Sequence, residues 1–190
     1  MGTTGRFPSR PARLALTGTP GTGKSAVGTI LHRITGVVEV GELAVRVGVG
    51  RRVGQGIEVD LPALSRRISA GTQAVPERIV VGHLAHLLPI RDVVVLRCRP
   101  DELRTRLRAA RRGTPADRQE NYLAEALDVV LFEARRLHRR VWEVDTTGRS
   151  VRSVGAEVAE IFVRRVPRRM SGIDWLSDRR VSAHLLDRPA

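Results

Sequence analysis

The sequence predicts an α/β fold in which a five-stranded parallel sheet is flanked by helices. Two observations predict it. Residues 78–82 (RIVVG) and 92–98 (DVVVLRC) are near-continuous β-branched runs, the pattern of strands buried on both faces. Short runs of this kind alternate along the chain with segments of helical spacing, the order expected of a parallel sheet with crossover helices.

Taken in order, residues 1–12 are rich in Pro, Gly and Arg and predict a disordered basic N-terminus. RLALT (13–17) reads as the first strand, a glycine-rich turn follows, and KSAVGTILHRIT (24–35) has helical spacing that stops at Gly36. VVEV (37–40) is a second strand. Residues 41–59 are punctuated by glycine and predict a small helix followed by a mobile excursion. Asp60 with Pro62 is a good helix start, and that helix ends at Gly71. Between the two β-branched strands and the fifth, VWEVD (141–145), Pro100 and Asp101 open a helix to Arg112. GTPAD (113–117) is a turn, and 118–140 is one long amphipathic stretch. Ser150 caps a final helix to about Arg165, and 166–190 form a basic, weakly patterned extension. That extension either binds RNA or is disordered, and its weak patterning favours disorder.

Composition narrows the classes. With 190 residues, 42% hydrophobic and 28% charged, the chain forms one globular domain. No apolar run approaches the roughly 20 residues that span a bilayer. The N-terminus lacks an apolar h-region, and Arg6 stands where a myristoylation signal needs Ser or Thr. The single cysteine, Cys98, rules out an internal disulfide and suits a reducing cytoplasm. A net charge of +13 fits a polyanionic partner such as RNA or a coding bias towards arginine, and both readings stay open. Only 3% of residues are aromatic, too few for a base-stacking platform.

Lys24 is the only lysine among 33 lysine and arginine residues, and it lies in GTPGTGKS (18–25). That stretch matches G-x-x-x-x-G-K-[ST] without mismatch, between a strand and a helix, so it is a phosphate-binding loop (P-loop) for a nucleoside triphosphate. Gly18, Gly21 and Gly23 let the backbone turn its N–H groups inward, with a helix N-terminus behind them. Lys24 is placed to reach the β- and γ-phosphates and Ser25 to ligate Mg²⁺. A guanidinium is a broad planar fork, whereas the loop accommodates a compact point charge on a flexible stem, which explains why this one cation is not arginine. A guanine-reading N-K-x-D would need a second lysine, so a GTPase is excluded. Small kinases remain, with an acceptor-binding excursion at about 39–62 and an arginine-rich lid at about 111–121. Arg112, at the hinge of that lid, is the arginine placed to face the transferred phosphoryl group.

Six stretches together resemble the adenylate kinase isoenzyme 6 family, archaeal adenylate kinases and their eukaryotic relatives in ribosome maturation. They are LTGTPGTGKS, EVGELA (39–44), VVGHLAHLLP (80–89), VVVLRCRPDELRTRLRAARRG (93–113), ENYLAEALDVVLFEA (120–134) and VWEVDTTGRS (141–150). The resemblance runs from about residue 14 to 163. It implies a P-loop nucleoside monophosphate kinase domain over 13–165, of broad acceptor range, with ATPase activity and Mg²⁺ as cofactor. It also implies a cytoplasmic role in late small-subunit rRNA maturation, with the eleventh universal small-subunit ribosomal protein and the pre-ribosomal small subunit as partners. By similarity, Gly21, Gly23, Lys24, Ser25, Ala26 and Arg112 contact ATP. Gly41, Glu42 and Leu43 begin the acceptor site, and His83 lies beside the phosphates in a Walker-B-like position. His86 is left as a structural histidine.

The family usually has an acid two residues before that histidine, where this chain has Val81. Ser25 and the phosphates would then hold the metal alone, or another carboxylate, Asp60 or Asp145, would reach in. Val81 ends its strand at the crevice side of the sheet, so a glutamate there is expected to restore metal binding. The stretch RVGVGRRVGQG also lacks the acidic residues the family carries in its acceptor excursion. The second reading is therefore an ATP-dependent ribosome-assembly switch with little true monophosphate kinase activity.

Overall fold

The computed structural model describes residues 14–54, 56–70, 77–164 and 172–186. Five parallel strands form the central sheet in the order β2-β5-β1-β6-β7. They are β1 (Leu14–Thr17), β2 (Val37–Glu39), β5 (Ile79–Val81), β6 (Asp92–Arg97) and β7 (Arg140–Asp145). The α/β expectation, with five parallel strands between helices, therefore holds.

Alternation along the strands builds two apolar layers. Val93 and Val95 face one side with Ala15, Val80 and Val141, against α2 (Val40–Arg46), α3 (Leu61–Ser69) and α6 (Val129–Leu137). Val94 and Leu96 face the other with Leu14, Leu16, Ile79 and Val81, against α1 (Lys24–Leu31) and α7 (Val151–Arg164). A strand sandwiched in this way must be apolar at both parities, which is why the β-branched runs show no alternation in sequence.

The glycine-rich stretch is not an irregular excursion. After α2 it forms an antiparallel hairpin, β3 (Gly50–Val53) and β4 (Gly56–Val59), turning at Gly54 with φ +56°. Arg51 pairs with Glu58 across the hairpin, and Arg52 reaches back to Glu42 on α2. Asp60 then caps α3 by accepting from the Ala63 N–H at 2.9 Å.

Two helices replace the single amphipathic stretch. Helix α5 (Pro115–Ala126) starts earlier than the turn reading allowed, because Thr114 and Asp117 form a reciprocal capping box. It stops where Asp128 adopts a left-handed conformation (φ +57°) and turns its carboxylate to Arg97. Helix α4 (Pro100–Ala109) packs on α5 across the tight turn at Arg111–Gly113, where both Arg111 and Gly113 have positive φ. Ser150 caps α7 through the Ser153 N–H, as the sequence predicts.

The expectation for residues 1–12 lies outside the described residues. Of the C-terminal extension, 172–186 are described and are folded onto the domain. Trp175 and Val181 are buried with Tyr122 and Ala126 of α5, and α8 (Arg179–Leu186) follows.

Candidate active site

Strand β1 delivers the chain into the phosphate loop at the C-terminal edge of the sheet. Gly18 adopts φ +141°, and a Cβ there would lie 2.4 Å from the Leu96 carbonyl oxygen. At Gly21 (φ +96°) a Cβ would strike Leu103 and Leu107 of α4 at 2.9 Å. Only glycine satisfies both the backbone and the space at these positions. Within the loop the Thr19 carbonyl accepts from the Thr22 N–H at 3.2 Å and the Thr22 hydroxyl at 2.9 Å.

Lys24 opens α1 and folds back over this loop, its ammonium donating to the Gly18 carbonyl at 2.7 Å and the Thr19 carbonyl at 3.0 Å. Burial of the ammonium lowers its pKa from 10.5 to about 8. The Arg112 charge acts in the same direction, while the Glu39 and Glu125 carboxylates oppose it. Ser25 is exposed at the next position.

These residues border a cavity of about 380 Å³ lined by Gly21, Gly23, Lys24, Ser25, Ala26, His83 and Arg112. All seven had been singled out from sequence, and they come from the loop, the end of β5 and the turn after α4. Gly41, Glu42 and Leu43 do not line it. A Cβ on Gly41 would press on Ile57 of the hairpin at 3.0 Å, Glu42 pairs with Arg52, and the Leu43 side chain is fully buried in the core.

The cavity also holds residues that the sequence reading missed. Glu39, the last residue of β2, lines it and acts electrostatically on Lys24. An acid at the C-terminal end of a strand, beside the loop strand's neighbour, was the available signal. Arg106 lines it as well, donating to the Thr146 carbonyl at 2.7 Å and its hydroxyl at 3.1 Å, and pairing with Glu102. That arginine ties α4 to the loop after β7.

Val81 does not line the cavity. It is 1% exposed, in the layer with Leu14, Leu16 and Ile79, and packs on α1 where a Cβ at Gly28 would meet it at 3.4 Å. A carboxylate there would start from the apolar layer between β5 and α1, which counts against the expectation for a glutamate at 81. Asp60 and Asp145 do not reach in either. Asp60 is the α3 cap, and Asp145 accepts from the Thr147 N–H at 2.8 Å and hydroxyl at 2.6 Å. Glu39, paired in register with Val81, is the carboxylate that does.

Behind the cavity, the Thr17 hydroxyl lies 3.1 Å from the His83 carbonyl and 2.9 Å from His86 Nδ1, and His86 Nε2 lies 3.0 Å from Glu133. His86 is therefore a buried, fully partnered histidine, as a structural role requires. His83 lines the cavity, and partial burial, then Lys24 and His86, hold its pKa below the ordinary 6.5.

Comparison with known proteins agrees with this geometry. Residues 14–128 match the AAA domain family model AAA_18. The chain is 42% identical over 173 residues to the "Putative adenylate kinase" of Archaeoglobus fulgidus, covering 87% of this chain and 92% of that protein. It is 37% identical over 168 residues to the protein of that description in Thermococcus onnurineus, covering 85% and 90%. The chain belongs to this kinase family. Among solved structures, shikimate kinase from Acinetobacter baumannii in complex with shikimate superposes with a TM-score of 0.53 at 14% identity, over 81% of this chain and 94% of that one. A gluconokinase from Sinorhizobium meliloti gives 0.51 at 16% identity, over 82% and 93%. At such identities the likeness is one of fold, that of P-loop kinases. No helix among the described residues of this family member is long and apolar enough to cross a membrane.

Proposed function

We propose that the protein is a cytoplasmic, broad-specificity nucleoside monophosphate kinase of the adenylate kinase type. An acceptor phosphate oxygen of AMP, or of another monophosphate, attacks the γ-phosphorus of ATP in line. The bond to the β–γ bridging oxygen breaks, and two diphosphates result. The observation that carries this reading is the meeting of Lys24, Ser25, Arg112 and Glu39 on one cavity at the phosphate loop. Phosphoryl transfer of this kind depends on alignment and positive charge around the moving group. Lys24 and Arg112 supply that charge, and His83 stands beside the phosphates.

Among the described residues no cluster of three or more His, Cys, Asp or Glu side chains could cage a metal. Mg²⁺ fits this site as a partner of the nucleotide, since it typically takes one or two protein oxygens and keeps phosphate and water for the rest. Ser25 and Glu39 are the residues that would hold it, and it would neutralise charge on the phosphates. In this reading the excursion at 39–62, with Gly41 and Glu42 at its root, covers the acceptor, and 111–121 closes over ATP. The ATPase activity, the part in small-subunit rRNA maturation and the ribosomal partners implied by the resemblance belong to the same proposal and rest on that resemblance.

A coupled assay of ATP with and without AMP tests it. ADP formation that requires AMP, at two ADP per AMP consumed, is the expected result. Phosphate release from ATP at a rate indifferent to AMP would overturn it in favour of the assembly switch.

A further inference from the structure

Glu125 lies on α5, 106 residues from the phosphate loop, and is 2% exposed. One carboxylate oxygen, Oε2, accepts from the Thr19 hydroxyl at 2.5 Å. The other, Oε1, accepts from Arg97 Nε at 2.8 Å, the Cys98 N–H at 3.1 Å and the Trp175 indole N–H at 3.2 Å. Arg97 is itself 1% exposed, paired with Asp128 and Glu143, and its guanidinium sits 5.7 Å over the Trp175 ring. A single buried carboxylate thus joins the loop, the end of β6, the helix that follows the lid turn and the C-terminal segment.

We propose that Glu125 is a positioning residue for the phosphate loop, and that the C-terminal segment acts on nucleotide binding through it by way of Trp175. The proposal rests on the reading of the loop as the nucleotide site. Thr19 is the link. Its side chain is held from behind by Glu125, while its carbonyl accepts from Lys24, Thr22 Oγ1 and the Thr22 N–H. Any shift of Thr19 therefore moves the acceptor on which the Lys24 ammonium rests. Burial makes the coupling stiff, because no water is at hand to replace a lost partner of Glu125. A core role alone would not require the hydroxyl of a loop residue or the indole N–H of a distant tryptophan at the same carboxylate.

The test uses two changes, Thr19→Val, which is near-isosteric, and Trp175→Phe, which keeps one aromatic ring and gives up the other; each removes one donor to Glu125. Glu125→Gln is added, although Arg97 left facing an amide could prevent folding, and the other two variants keep the test decisive in that case. ATP affinity of the folded proteins is measured by calorimetry alongside thermal unfolding. Removing a hydrogen bond to a charged group corresponds to about tenfold in an equilibrium constant, so Thr19→Val is expected to weaken ATP binding about tenfold. Trp175→Phe is expected to weaken it about fivefold. In a Trp142→Phe background, where Trp175 is the only tryptophan, ATP is expected to change its emission, and Thr19→Val to abolish that change. Wild-type affinity in both Thr19→Val and Trp175→Phe, with emission indifferent to ATP, would overturn the proposal and leave the cluster a purely structural one. Failure of the wild-type protein to bind ATP would overturn the nucleotide reading itself, along with this one.

Discussion

Replacing Lys24 with methionine separates what this residue does for the fold from what it does for the ligand. A free lysine titrates near 10.5, and in the folded loop burial brings Lys24 to about 8. At 1.36 kcal/mol for each pKa unit, the folded loop disfavours the charged ammonium by about 3 kcal/mol relative to water. The unfolded chain keeps this proton up to about pH 10.5, whereas the folded chain releases it near 8. Wild-type stability contributed by this group is therefore lowest and flat below pH 8, and rises between about 8 and 10.5. Methionine fills the same track without a charge. It forfeits the hydrogen bonds to Gly18 and Thr19, each worth about 1.5 kcal/mol net for a charged donor, so loss and gain nearly cancel at pH 7 and the variant should lie within about 1 kcal/mol of the wild type there. Urea unfolding at pH 7 and pH 10, with and without MgATP, measures this. The expected result is near-equal stability at pH 7 and a variant deficit of about 2–3 kcal/mol at pH 10 as the wild type gains, together with loss of stabilisation by ATP. A gap between the two proteins that is the same at pH 7 and pH 10 would refute the reasoning.

Other outcomes follow from the same cavity. Glu39→Gln should lower stability only slightly, through the lost attraction to Lys24, but raise the Mg²⁺ needed for half-maximal ATP binding about 10–100-fold, the usual cost of losing a supporting metal partner; an unaltered Mg²⁺ titration of binding removes Glu39 from the metal's surroundings. Val81→Glu should destabilise the protein by on the order of 3–5 kcal/mol, since it leaves an unpaired carboxylate between β5 and α1. A stable variant with a lower Mg²⁺ requirement would show that the side chain reaches the cavity after all. His83 has a lowered pKa that nucleotide phosphates should raise, so protons are taken up on binding and affinity should grow as pH falls below about 6.5, by at most about tenfold per pH unit. His83→Asn should flatten that part of the profile relative to the wild type, and identical profiles would exclude its protonation from binding.

What could be read from the chain divides along physical lines. The sheet was legible because Val93–Leu96 and Ile79–Val81 are apolar at both parities, which few environments other than a covered parallel sheet tolerate. The loop was legible because its glycines and lysine are dictated by local backbone chemistry. Parity did not reveal which layer Val81 faces, because both layers are apolar; only its packing on Gly28 decides that. The hairpin at Gly50–Val59 was hidden by glycines that read as irregular chain, one of which admits the strand against Ala44 of α2. The start of α5 was written in Thr114 and Asp117 as a capping box but was masked by the turn-like Gly113 and Pro115 around it. Glu125 was invisible as a partner because its meaning lies in contacts with residues far along the chain.

The single lysine has a practical consequence. A protease that cleaves only after lysine has one bond to cut in the whole chain, that between Lys24 and Ser25. In the folded protein that bond lies at the first turn of α1, with the lysine side chain buried against the loop. Cutting requires this stretch to open, alone or with the rest of the fold, so the rate at which two fragments appear reports the opening of one known place. In arginine-rich chains trypsin blurs that measurement over dozens of sites. Here a gel with two product bands would suffice to follow how often the loop opens, and whether a bound triphosphate keeps it shut.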